Sequence, residues 1–277
     1  MPKKFVVTIM LGMNRFTQRD DEHPFDMSLA ECFNTLWLPQ VSEIEKTHST
    51  PFYEMTKTMH EFINEYNKEY EITDLTKDDV LFICGRGTIG SGSEDSLYEA
   101  LLEAKRTYGK NAYYIFYTKS FGVVDTLRTF NDFQETMQRQ PIGADLMFLI
   151  DGAATPISKA SVSKIYKSGN KKGERRFIIP KNVRKAFGIV QRRKGFKGLL
   201  VGKHNDSRCH NFIVRQPETS KYVYSAYSDG YERKLDASHF NMEEIVSTVP
   251  CCRFGGRTYT VNEMVKYFCN RYMLGKV

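Results

Sequence analysis

The chain lacks any apolar stretch long enough to cross a bilayer, which excludes a membrane-spanning helix. It has no CxxC pair and no cysteine–histidine spacing of the zinc-binding kind, so no metal centre is expected. No internal repeat and no low-complexity tract appears beyond one basic run, so repeat architectures are excluded. Nor is a signal peptide expected. The opening MPKKFVVTIMLGMNRF has basic residues before a short apolar run, but no small-residue cleavage site follows. That segment is expected to be a first buried strand, and the chain to work in the cytoplasm, with export independent of a signal peptide left open.

What is present suits a folded α/β protein. The 277 residues are 41% apolar and 13% aromatic, enough for a sizeable core in one large domain or a domain with an insertion. Cys84 and Cys209 lie in apolar runs, where reduced thiols act as small hydrophobes; a reducing compartment fits, with disulfides left possible by the even count of six. Net charge is +7, unevenly spread. Residues 159–203 hold fifteen Lys and Arg against one acid, Glu174, a local net charge of +14 that leaves −7 for the remainder.

Hydrophobic pattern places the elements. KKFVVTIMLG predicts a strand, residues 28–72 mostly helix, and DDVLFICGRGTIGSGS a strand ending in a glycine-serine loop. A helix over 94–108 follows, with acids at its start, basic residues at its end and Gly109 beyond. AYYIFYTKSFGVVDTL (112–127) passes from strand to helix at Ser120, the helix running over about 122–139, and ADLMFLID closes a further strand at Asp151. This alternation predicts a mainly parallel sheet with helices on both faces. Ligands gather at the carboxyl ends of such strands, where the loop after Cys84, Ser120 and Asp151 all fall. The basic segment 155–203 breaks the rhythm and is expected to be an insertion, lid or cap, between core segments 1–154 and 204–277. CHNFIVRQ then resumes as a strand, YVYSAY as a strand or hairpin arm, and the tail from Asn241 as helix, glycine-rich turn and helix.

Two roles compete for Ser120: a helix cap, or a nucleophile on a tight elbow. TKSFG has the form small-x-Ser-x-Gly, with Thr118 at the first position where glycine is usual. A serine nucleophile needs a base and an orienting acid. Asp151 ends the next strand, and His239 lies on a late polar loop before an amphipathic helix; His210 is the alternative base. The order Ser, Asp, His is that of the α/β-hydrolases.

The segments DDVLFICGRGTIGSGS, AYYIFYTKSFGVVDTL, ADLMFLIDGAATP, RCHNFIVRQ and LDASHFNMEEIV together resemble an α/β-hydrolase of the lipase/esterase kind, over roughly 80–250. KKFVVTIMLGMN, GRGTIGSGS and TKSFG more distantly resemble the bacterial phospholipase effector family, although LGMN stands where that family has Asp-Gly-Thr-x-Asn. The resemblance implies Ser120 as nucleophile, His239 as general base and Asp151 as its orienting acid. It implies an oxyanion hole from the Phe121 N–H and from Arg86 or Gly87, and no cofactor. The implied substrate is a lipid or other acyl ester. The basic segment, with Lys171, Lys172, Arg175, Arg176, Arg192 and Arg193, would face an anionic membrane surface or a nucleic acid; a solvated surface excursion is the plain alternative. A hydrolase-like scaffold without activity that binds nucleic acid or an acidic partner is the rival function. A nucleotide-binding protein using the glycines of GRGTIG is a third. Oligomeric state is not legible in the sequence.

Overall fold

The computed structural model describes residues 3–12, 33–72, 74–87, 93–109, 112–136, 143–152, 166–168, 175–191, 198–202, 206–214, 223–225, 232–234 and 242–277. Its centre is a seven-stranded parallel sheet. In chain order the sheet strands are β1 (Phe5–Leu11), β2 (Asn34–Trp37), β3 (Val80–Arg86), β4 (Tyr113–Lys119), β5 (Ala144–Ile150), β8 (Val183–Gln191) and β10 (Cys209–Val214). Their spatial order is β10-β8-β5-β4-β1-β3-β2. β1 and β4 are buried at every residue, as the near-continuous apolar sequence of a strand covered on both faces requires.

Six α-helices are described: α1 (Glu43–His48), α2 (Thr50–Glu69), α3 (Ser93–Tyr108), α4 (Phe121–Thr136), α5 (Met242–Thr248) and α6 (Val261–Met273). α3 and α4 cover one face through Leu97, Leu101, Val123 and Leu127. α2, α5 and α6 cover the other through Phe52, Met59, Phe62, Val246, Met264 and Phe268. Connections β3–α3–β4 and β4–α4–β5 advance across the sheet in one direction and place their helices on one face, as right-handed crossovers do. α2, in the β2–β3 connection, lies on the other face with α5 and α6. Each phenylalanine fully buried in these layers stabilises the fold by roughly 1.5–3 kcal/mol.

Local sequence explains the helix starts. Ser42 and Thr260 form capping boxes with Glu45 and Glu263, and Ser49 caps α2 ahead of Pro51. Gly109, at φ +77°, ends α3 in the left-handed conformation that glycine tolerates.

Most of the described residues 33–72 are helical, in α1 and α2. The edge strand β2 that precedes them was not expected, its exposed and half-buried residues too short a run to stand out by periodicity. The structure corrects a second expectation. The basic segment 155–203 does not lie wholly outside the core. β8, inside it, pairs with β5 and β10 in the central sheet. Cations at its start, Arg184 and Lys185, mask the buried AFGIVQ that follows. A small second sheet joins β6 (Tyr166–Ser168), β7 (Arg175–Phe177) and β9 (Leu200–Val201), with Phe177 and Val201 packed into the α3–α4 layer. Two hairpins complete the description, β11 (Val223–Ser225) with β12 (Glu232–Lys234) and β13 (Cys252–Phe254) with β14 (Arg257–Tyr259). The described cysteines, Cys84, Cys209, Cys251, Cys252 and Cys269, are free. No helix among the described residues is long and apolar enough to cross a membrane.

Candidate active site at the carboxyl edge of the sheet

β1, the first strand in sequence, lies between β3 and β4, and chain progression reverses there. Such a switch point leaves a crevice at the carboxyl ends of the strands. Four backbone segments meet at this one. Ser120 turns the chain from β4 into α4 with φ +55°, a left-handed conformation uncommon for a residue with a side chain. Its N–H donates to the Ile150 carbonyl at 3.1 Å, and its own carbonyl accepts from the Val123 N–H at 3.2 Å. The side chain is almost fully buried.

Close approach, rather than turn conformation, requires the neighbouring glycines. A Cβ at Gly12, at the end of β1, would lie 2.5 Å from Ser120 Cβ and 2.7 Å from its Oγ, so backbone passes directly against the serine side chain. A Cβ at Gly122 would lie 2.2 Å from the Met10 carbonyl oxygen, which shows how tightly the first turn of α4 seats on β1. At the usual position of the first elbow glycine, Thr118 is accommodated because its hydroxyl donates to the Phe148 carbonyl at 2.8 Å.

Asp151 occupies the equivalent place on the adjacent strand, with φ +44° and no exposure. Its Oδ1 accepts from the Gln191 N–H and its Oδ2 from Gln191 Nε2, both at 3.3 Å. A Cβ at Gly198 would come within 2.2 Å of Oδ1, so backbone closes over the carboxylate. Left-handed non-glycine residues thus end two neighbouring strands at one edge. Such conformations cost about 1–3 kcal/mol each and persist where surrounding structure enforces them.

On the opposite face of β4, Lys119 forms a buried ion pair with Glu243 of α5 at 2.8 Å. The residue beside Ser120 is thereby fastened to the helix that begins three positions after His239.

The expected site residues fare differently. Ser120, Phe121 and Asp151 share the carboxyl edge. His239, Lys171, Lys172, Arg192 and Arg193 lie outside the described residues, as does the Arg175 side chain; Arg176 sits in β7, paired with Leu200. Gly87 is corrected as an oxyanion donor, because its N–H donates to the Leu11 carbonyl at 2.6 Å within the sheet. The Arg86 guanidinium is engaged by Glu45, also at 2.6 Å. Gly12 presents backbone to Ser120 instead, and its signal in the sequence was a glycine directly after an unbroken apolar strand.

His210 stands away from Ser120. It shares a row across the sheet with Phe187, Phe148 and Tyr117, three residues short of the serine, and stacks on Phe187 at 5.1 Å. Burial first, and Lys185 second, hold its imidazole below the ordinary value. Two further residues escaped sequence reasoning: Gln191, the partner of Asp151, and Glu243, the partner of Lys119. Nothing in their local sequence distinguishes them from ordinary polar residues, since each matters through a contact distant along the chain.

Among the described residues no group of three or more His, Cys, Asp or Glu could hold a metal ion. No known family model matches the chain, and no curated protein matches it.

Proposed function

We propose that the protein is a serine hydrolase of the α/β-hydrolase kind that cleaves a carboxylic ester, a lipid or other acyl ester. The observation that carries this proposal is the left-handed turn at Ser120, between a buried strand and a helix at the switch point, with Gly12 backbone against its side chain. A helix-capping serine normally has extended backbone angles. The strained elbow instead suits a hydroxyl that must stand above the sheet.

In the proposed reaction Ser120 Oγ attacks the ester carbonyl and gives its proton to His239. The Phe121 N–H, with backbone at the end of β1, stabilises the tetrahedral oxyanion. Collapse of that intermediate expels the alcohol, protonated by His239, and leaves an acyl-enzyme. Water, deprotonated by His239, then attacks the acyl carbon and releases the acid and Ser120. Asp151 orients the imidazole and stabilises its charged form. Chain length permits this arrangement: His239 is three residues before Met242, a span of at most about 11 Å, and Glu243 is anchored beside Ser120 through Lys119. Cations of the basic segment would favour substrates presented at an anionic surface.

A fluorophosphonate probe tests the proposal. Covalent labelling of the wild type that disappears in Ser120→Ala, with circular dichroism unchanged, is the expected result. Folded wild-type protein that resists the probe and hydrolyses no acyl ester would instead favour the inactive binding scaffold.

A further inference from the structure

The opposite, amino edge of the sheet holds a cavity of about 400 Å³. It is bordered by residues at the starts of β4, β5 and β8, by the β13–β14 hairpin and by the end of α6. A seven-residue strand separates this edge from Ser120 by about 20 Å, so its occupant would be remote from the proposed ester chemistry.

Charge around the cavity is one-sided. Arg184, Lys185, Arg271 and Lys276 line it, with Asp145 as the acidic side chain among its lining residues. Asp145 is shared with Arg184 at 3.4 Å and also accepts the Tyr114 N–H. Among the described residues Lys185, Arg271 and Lys276 form no ion pair with a carboxylate. Arg271 instead donates to the Lys276 carbonyl at 2.5 Å.

The same cations stand over aromatic rings. Lys185 Nζ lies 5.1 Å from the Phe254 ring centroid, and Arg271 Cζ lies 5.8 Å from that of Tyr267. Phe254 and Tyr267 are themselves in edge-to-face contact at 6.1 Å. An apolar aromatic wall beneath uncompensated cations suits a ligand with a flat body and an anionic group. The volume lies within the range of small-molecule sites.

We propose that this amino-edge cavity binds a small aromatic anion, an aromatic ring system carrying a phosphate, on Lys185, Arg271 and Lys276 with Phe254 and Tyr267 as its apolar wall. The aromatic body packs against the two rings and the phosphate accepts charge-assisted hydrogen bonds. Binding is independent of the Ser120 chemistry.

Titration calorimetry with adenosine monophosphate and 1-naphthyl phosphate, and with neutral adenosine, tests the site on the full chain. At least one of the phosphates should bind with one-to-one stoichiometry and weaken as salt is raised, while adenosine binds about tenfold more weakly or less. Lys185→Gln and Arg271→Gln should each weaken the phosphate about tenfold, as expected for loss of a charge-assisted contact. Lys46→Gln, on α1 after the far edge strand β2, and Ser120→Ala should leave it unchanged. The proposal is overturned if neither phosphate binds below about 1 mM, or if both folded cavity variants bind like the wild type. Retained binding in a Ser120→Ala protein that has lost probe labelling would separate this site from the proposed active site.

Discussion

Among the described residues four hydroxyl residues directly precede α-helices, and one of them behaves differently. Ser42, Ser49 and Thr260 have φ between −76° and −70°, and their side chains accept N–H groups of Glu45, Phe52 and Glu263. Ser120 has φ +55° and stands in a crevice crowded by glycine backbone. In the first three cases the hydroxyl serves the helix it begins. At Ser120 the backbone is strained, and the helix is brought so close to β1 that only glycine fits at position 122. Similar residue types in similar sequence positions thus differ in backbone conformation, and the proposed role of Ser120 rests on that difference.

Substitution at Ser120 should separate the pair most widely. Ser120→Gly is expected to lose ester hydrolysis by at least about 10³-fold, as removal of a nucleophile does. It should also gain about 0.5–1 kcal/mol of stability, because glycine accepts a left-handed turn without strain. Assay of hydrolysis beside urea denaturation checks both. A destabilised but active Ser120→Gly would return the residue to the capping class.

The ion pair beneath the elbow comes next. Lys119→Met strands the Glu243 carboxylate in a buried site and should cost about 3–5 kcal/mol in urea denaturation. Lys119→Met combined with Glu243→Leu should recover most of that loss. If the single variant unfolds no more readily than the wild type, Lys119 and Glu243 do not fasten α5 to the elbow.

Thr260→Ala supplies the capping side of the comparison. Loss of the cap should lower stability by about 1 kcal/mol while probe labelling of Ser120 continues at the wild-type rate.

The smallest effect concerns the histidine excluded by position. Burial and Lys185 depress the His210 pKa, so as pH falls the unfolded chain takes up this proton before the folded protein does. The sign follows: His210 subtracts stability as pH drops through the ordinary imidazole range, and the loss levels off below its folded value. His210→Gln should flatten that part of the urea-midpoint profile between about pH 8 and 5, with labelling intact. Lost labelling in a folded His210→Gln protein would reinstate it as the base.

Much of the sheet could be read from the sequence because strands buried on both faces leave unbroken apolar runs. β1, β3, β4 and β5 have them, and the expected bounds lie close to those found. β2 did not, since an edge strand of four residues carries neither a long run nor a clear alternation. β8 was hidden for another reason: its composition was averaged with that of its cationic neighbours, although AFGIV alone would have marked it. At the candidate site, Ser120 and Asp151 were legible because each ends an apolar strand. Gly12 and Gln191 gain their significance from strand order, with β1 inserted between β3 and β4 and β8 beside β5, and local pattern does not encode that order.

The central position of β1 also bears on how the chain is made. Phe5 pairs with Val80 on one side and Tyr113 on the other, so β1, once it leaves the ribosome, has no sheet partner until the residues of β3 and β4 have followed. At synthesis rates of about 5–20 residues per second that interval lasts several seconds. During it FVVTIML is an unpaired, uncharged β-forming heptapeptide, the kind of segment that joins other chains. Nascent chains arrested before Tyr113 are therefore expected to need protection from holding chaperones, whereas chains extended beyond β4 should release them.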